Sequence, residues 1–220
     1  MAIFSLRGLD NIYCLLQGAA LTIMISATSI IIGLILGCLI GIIRCNQVKK
    51  KWIDLVFASY VTLIRGTPLF IQILIIYFGL PVLIGYDISP LIAGIGALSI
   101  NSSAYLAEII RGGIDDISLG QWEAAQLLGY SLKESLMFII LPQTFKKILP
   151  SLGNELIALI KESSILMVLG VPELTKTSKD IVAREFRPFE IYTMTAFLYL
   201  FITSILAKGT SFFEKRKPSR

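Results

Sequence analysis

From Gly18 to Ile43 the chain runs without a single charged residue. At a rise of ~1.5 Å per residue this stretch makes a helix about 39 Å long, more than the ~30 Å hydrocarbon core of a bilayer. In lipid a backbone must satisfy its own hydrogen bonds, so a lone apolar segment of this length has to be helical. It is too long for the core of a signal peptide and reads as an uncleaved first span. Further charge-poor runs follow at Leu55–Tyr86, broken only by Arg65, at Ile88–Ala107 and at Ile191–Ala207. Another, near Ile148–Val171, contains Glu155, Lys161 and Glu162. Only 16% of the residues are charged and 55% are hydrophobic, against roughly 25% charged in soluble domains. The expectation is one all-α integral membrane domain over residues 1–220, with five transmembrane helices at about 18–43, 55–84, 88–110, 148–171 and 191–212. A separate segment, Phe4–Leu16, is expected to lie along the outer surface.

Several chemistries are excluded at this stage. The chain has no histidine, which removes Ser-His and Cys-His catalysis and zinc-protease motifs. Cys14, Cys38 and Cys45 form neither a disulfide framework nor a metal-ligand spacing. No phosphate-binding G-x-x-x-x-G-K-[ST] loop is present. No cofactor and no metal are expected. The net charge of +5 points to cytoplasmic loops and not to nucleic acid.

Loop charges orient the spans. The first connection carries Arg44, Lys49, Lys50 and Lys51 against Asp54, and the C-terminal tail carries Lys208, Lys215, Arg216, Lys217 and Arg220 against Glu214. Charges cancel over Glu173–Glu190. The positive-inside rule then places the C-terminus in the cytoplasm and, with five spans, the N-terminus outside.

The connection from Arg111 to Lys147 is cytoplasmic on this scheme. Leu119, Trp122, Ala125 and Leu128 fall at helical spacing, which predicts a short amphipathic helix over about 118–129, capped by Ser118 or Gly120 and stopped by Gly129. Glu123-Ala124-Ala125, Gly129 and Ile139-Ile140-Leu141-Pro142 fit the pattern EAA, three residues, Gly, nine residues, I-x-L-P at every fixed position. This resembles the cytoplasmic loop of bacterial ABC importer permeases, whose short helix docks on an ATPase subunit. The segments Ile64-Arg65-Gly66-Thr67-Pro68-Leu69, Asn101–Tyr105 with Glu108–Gly113, and Leu149–Asn154 with Lys161–Ser164 narrow the resemblance to permeases of polar amino acid importers. The resemblance covers the chain from about Gly18 to the tail.

Physical arguments locate a substrate site. Ionisable groups inside spans default to functional roles. Arg65 falls about 15 Å into its span, Glu155 about 10 Å and Glu162 about 21 Å into theirs, and Ser102 about 9 Å from the cytoplasmic face. Pro68 removes a helical donor and drives Thr67 out of the helical region, while Gly66 loosens the turn. The freed backbone either binds an α-carboxylate or α-amine, or is a packing kink. Glu155 and Glu162 share one helix face, about 10.5 Å apart, a spacing suited to a dicationic amino acid; pairing with Lys161, Arg65 or a lipid amine is the alternative. The resemblance implies substrate contacts at Thr67, Ser102, Glu155 and Glu162. Arg65, Gly66, Asn101 and Ser103 are further candidates, the last two also suited to joining helices.

The resulting expectation is a type I ABC importer permease core in the bacterial cytoplasmic (inner) membrane, crossing it several times. It would carry basic amino acids such as arginine or lysine, with glutamine as the alternative cargo. Its expected partners are an ATP-binding subunit dimer, a second copy or paralogous permease subunit, an extracytoplasmic solute-binding protein, the amino acid and membrane lipid. Glu123, Ala124, Ala125 and Gly129 would couple it to the ATPase. A membrane enzyme or a purely structural subunit is the remote alternative.

Overall fold

The structure is a computed structural model and describes residues 6–214, with side chains from 10 to 210. Phe4 and the tail cations Lys215, Arg216, Lys217 and Arg220 lie outside the described residues. Among the described residues every regular element is helical.

Helix α1, Leu6–Arg44, runs unbroken for 39 residues. The expected separate N-terminal segment is therefore, from Leu6 on, simply the first turns of α1; no glycine or proline interrupts Leu9–Gln17. Its partner is α4, Pro90–Asp115, started by Pro90 and by the Ser89 side chain, which accepts from the Ile92 N–H. The two helices meet along Gly33, Gly37 and Gly41. A Cβ at Gly33 would overlap Ser102 Oγ; one at Gly37 would lie 2.7 Å from Leu106 Cβ and one at Gly41 2.8 Å from the Ala107 carbonyl oxygen. Small residues at four-residue spacing let two backbones approach in lipid, where packing replaces the hydrophobic drive.

Helix α4 is central. In its apolar window 61% of residues are buried in the chain, against 33% in α1 and 11% in the C-terminal helix. Its inner face, with Leu98, Leu106 and Ile110 fully buried, joins cores that extend to Ile25 and Leu159 on one side and to Ile140 and Ile148 on the other.

The second expected span is broken. Helix α2, Lys51–Gly66, and helix α3, Leu69–Ile84, meet at 105° across Thr67-Pro68. Thr67 is extended (φ −118°, ψ 145°), as a residue before proline must be. Within α3 a wide π turn, Ile75–Gly79, precedes Leu80-Pro81. The same device recurs after the cytoplasmic loop, where the π turn Ser135–Ile140 precedes Leu141-Pro142. A proline ring clashes with the carbonyl four residues earlier and offers it no donor; widening the preceding turn relieves both faults without ending the helix.

Between these elements lies the short helix α5, Leu119–Leu127. Helix α6, Leu141–Glu162, continues into the tighter 3₁₀ segment Ser163–Leu169. Helices α7, Leu174–Glu185, and α8, Pro188–Glu214, complete the chain. Among the described residues three helices are long and apolar enough to cross a membrane, or four if the bent pair counts as one span. The span expected at about 148–171 falls on α6 and its extension, where Lys146, Lys147, Glu155, Lys161 and Glu162 make the helix far more charged than the other spans. The connection Glu173–Glu190 is largely the helix α7. Glu173, wholly buried, caps α7 by accepting from the Thr175 and Lys176 N–H groups at 2.9 and 2.7 Å, and Tyr199 donates to it at 3.1 Å.

Candidate functional site

Two regions emerge, one around the short helix α5 and one at the helix break. Helix α5 spans the region expected for it. Ser118 occupies the N-cap position without a side-chain bond. Gly129 is left-handed at φ 85°. Its N–H donates to the Gln126 carbonyl at 2.9 Å and the Tyr130 N–H donates to Ala125 at 3.1 Å, the paired bonds of a Schellman stop. Trp122 is buried in one cluster with Cys45, Ile114, Leu136 and Ile140, and Ala125 is buried as well, so α5 is seated on the adjoining ends of α1, α4 and α6. Glu123 and Ala124 are exposed, as are Leu119 and Leu128. This corrects two expectations. Ala125 faces its own chain and not a docking partner, and Leu119 and Leu128 leave the buried stripe because the loop closes beneath only the middle of the helix.

Behind α5, charges tie the helix ends together. Arg44 reaches Asp54 at 3.2 Å and also pairs with Glu108; Arg111 bonds Glu108 at 2.8 Å and Asp115 at 3.1 Å. Asp115 also accepts from the Asn46 N–H at 2.8 Å. The ends of α1, α2 and α4 are thus tied to one another. Sequence reading had quoted Glu108–Gly113 without this role, because the partners come from three segments. Nearby, the capping box between Ser131 and Glu134 holds the Glu134 carboxyl below its ordinary range through bonds from the Ser131 side chain and N–H.

At the break, Arg65 is exposed and its guanidinium lies 5.0 Å from the centroid of the Tyr105 ring, a cation–π distance. The charges near enough to act on Glu155 are Glu162 and Arg65. Both glutamates are partly exposed and, among the described residues, neither accepts a hydrogen bond. Along the same helix Lys146, Ser151, Asn154 and Lys161 are exposed. A face this polar does not turn to lipid; it needs a wet cavity or a second subunit. That is why α6 fails a test of apolarity.

Other candidates are drawn into packing. Ser102 is fully buried, its hydroxyl facing Gly33 in the α1–α4 seam. Ser103 bonds the Tyr60 hydroxyl at 2.6 Å and joins α2 to α4. Asn101 donates to Gln72 at 3.0 Å. Thr67 donates to the Leu63 carbonyl at 2.9 Å, which leaves its oxygen able only to accept. A Cβ at Gly66 would meet nothing within 4 Å, so no close contact requires a glycine there. Gln72 was missed, although it is the one amide in the apolar run Leu69–Tyr77 and that contrast was readable.

Comparison with known proteins places this arrangement. Residues 15–216 match the family described as binding-protein-dependent transport system inner membrane component. The glutamine transport system permease protein GlnP of Escherichia coli (strain K12) is 40% identical over 195 residues, 88% of each chain. The arginine transport system permease protein ArtQ of Bacillus subtilis (strain 168) is 39% identical over 193 residues, 87% of each chain. Among solved structures, an amino acid ABC transporter crystallised with histidines superposes with a TM-score of 0.87 at 39% identity, covering 99% of this chain and 100% of that one. The MetNI methionine ABC transporter shares the fold, with a TM-score of 0.80 at 16% identity over 90% of this chain and 94% of that one.

Proposed function

This chain belongs to the binding-protein-dependent transport system inner membrane component family, and from that premise we propose that it moves basic amino acids, arginine or lysine, into the cell. It is the permease subunit of an amino acid ABC importer and a multi-pass inner membrane protein. It is not itself an enzyme, because ATP hydrolysis belongs to a separate ATPase subunit. The observation that carries the cargo reading is the pair of partly exposed, unbonded carboxylates on α6. Two anions in a low-dielectric cavity are costly unless a cation joins them, and arginine or lysine presents one cation at each end.

In this reading Glu155 faces the side-chain cation and Glu162 the α-amine. Thr67 Oγ1, with its donor already used, accepts from the substrate. The α-carboxylate sits at the start of α3, where Pro68 supplies no side-chain cap and the helix dipole favours an anion. Arg65 balances Glu155 while the site is empty. Ser102, Asn101 and Ser103 serve helix packing. The uncovered polar face of α6 is closed by a second permease subunit, identical or paralogous. Two ATPase chains dock at Glu123, Ala124 and the Gly129 turn, and a solute-binding protein delivers cargo from outside. Glutamine is the second reading, favoured by the likeness to a glutamine permease; Arg65 would then remain the charge that offsets Glu155 throughout.

ATPase stimulation of the complex in proteoliposomes, screened over the twenty amino acids, tests the cargo. Arginine and lysine are expected to give the highest response at the lowest concentration; a response to glutamine alone would replace the basic reading with the neutral one. Orientation is tested separately. In a chain lacking its native cysteines, Arg184→Cys should react with an impermeant thiol reagent applied to the outside, and Lys50→Cys only after permeabilisation. The reverse pattern would invert the topology.

A further inference from the structure

The helix break leaves one carbonyl without its natural partner. In an unbroken helix the Ile64 oxygen accepts from residue 68, and Pro68 has no N–H to give. The Gln72 side chain fills that place. Its Nε2 lies 2.8 Å from the Ile64 carbonyl oxygen, 3.1 Å from that of Thr67 and 2.9 Å from Thr67 Oγ1. An amide that donates on one side must accept on the other, and Gln72 Oε1 accepts from Asn101 Nδ2 at 3.0 Å. Both side chains are buried, Gln72 to 8% and Asn101 to 5% exposure. Buried to this degree, neither amide has an alternative partner as good.

We propose that Gln72 and Asn101 form a pin that sets the bend between α2 and α3 and, through it, the position of Gly66-Thr67 at the substrate. Gln72 is a positioning residue: it replaces the donor that Pro68 removed and ties the break to the central helix. Asn101 acts one step further back, by fixing which end of the Gln72 amide faces the carbonyls. Without Asn101 the amide is free to turn over, and an oxygen would then confront the carbonyl oxygens of Ile64 and Thr67. The effect on transport rests on the reading of Thr67 as a substrate contact, whereas the bend itself does not.

The test uses the assembled complex in proteoliposomes, in a chain lacking Cys14, Cys38 and Cys45. Spin labels at the exposed positions Leu55 and Val82 report the α2–α3 distance, with labelled subunit diluted in unlabelled. The parent chain should give one narrow distance. Gln72→Leu and Asn101→Leu should broaden it and raise the amino acid concentration for half-maximal ATPase stimulation roughly tenfold, the scale of one lost buried hydrogen bond, with little change in maximal rate. The exchanged pair Gln72→Asn with Asn101→Gln, which conserves the summed side-chain length, should recover much of both. If Gln72→Leu does not assemble, Asn101→Leu carries the test, since it leaves the donor in place and removes only its orientation. An unchanged distance distribution in either variant overturns the pin. A broadened distribution with an unchanged half-saturation overturns the positioning role. A failure of the cargo reading is recognised apart from both, because the parent chain would then respond to glutamine alone, or to no amino acid, before any substitution is made.

Discussion

Glu123→Lys and Gly129→Asp are each expected to abolish transport while leaving the protein in the membrane. Glu123 is exposed on α5, so its reversal alters what an approaching ATPase meets and nothing inside the chain. Gly129 is the left-handed stop of the same helix, with open space around it. An aspartate there costs about 1–2 kcal/mol in backbone strain and places an anion at the exit of the docking helix. Trp122 and Ala125 keep α5 seated in both variants, so membrane content should stay near that of the parent chain. Co-purification with the ATPase subunit is the readout, and it should fall with transport. Undiminished association and transport in both variants would remove the coupling role from α5. Gly120→Ala, which meets nothing within 4 Å, serves as the innocent control.

Replacement of Glu155 by Gln should change what is carried. The substitution keeps shape and hydrogen-bonding capacity and deletes one charge. A charge-assisted bond to a guanidinium or ammonium contributes roughly 1.5–3 kcal/mol, or about ten- to a hundredfold in preference over a neutral amide. The variant should therefore lose its response to arginine and lysine and keep or gain a response to glutamine. Glu162→Gln should weaken all amino acids alike, since every substrate shares the α-amine. Arg65 sharpens the contrast, because in Glu155→Gln its guanidinium loses a counter-charge and Tyr105 remains its closest described partner. ATPase stimulation by each amino acid, measured for the parent and both variants side by side, decides. An unchanged arginine-to-glutamine ratio in Glu155→Gln would make Glu155 structural and leave the permease assignment intact, since that rests on the family match.

What could be read in advance divides along a physical line. The apolar spans, the short docking helix and its stop at Gly129, and the break at Thr67-Pro68 are local properties of the chain. Bilayer thickness, the φ of glycine and the missing donor of proline each act over a few residues. The size of the bend was not legible, because 105° depends on Gln72 reaching Asn101 across 29 residues of sequence. Ser102 is a candidate by resemblance and by depth, and neither says which face of α4 meets Gly33. Ala125 looked available because small residues invite approach, and its approach turned out to be to its own chain. The α6 glutamates were legible because a charge in a span demands a reason, whereas the Arg44–Glu108–Arg111 block was not, since charges near a span end ordinarily need none.

The glycine seam between α1 and α4 bears on how chains of this kind are free to drift. At positions 33, 37 and 41 almost any new side chain collides with Ser102, Leu106 or Ala107, so change there is tolerated only in step with change on the facing helix. Two residues away Ile31, Ile35 and Leu39 are 59%, 58% and 57% exposed and touch no packed neighbour that would fix their shape, so one aliphatic residue serves there much as another. A single helix thus carries two clocks, one nearly stopped and one running freely, offset by two residues. Descendants of this chain should differ most along the stripe that touches no protein, and the spacing between α1 and α4 should outlast much of the sequence that surrounds it.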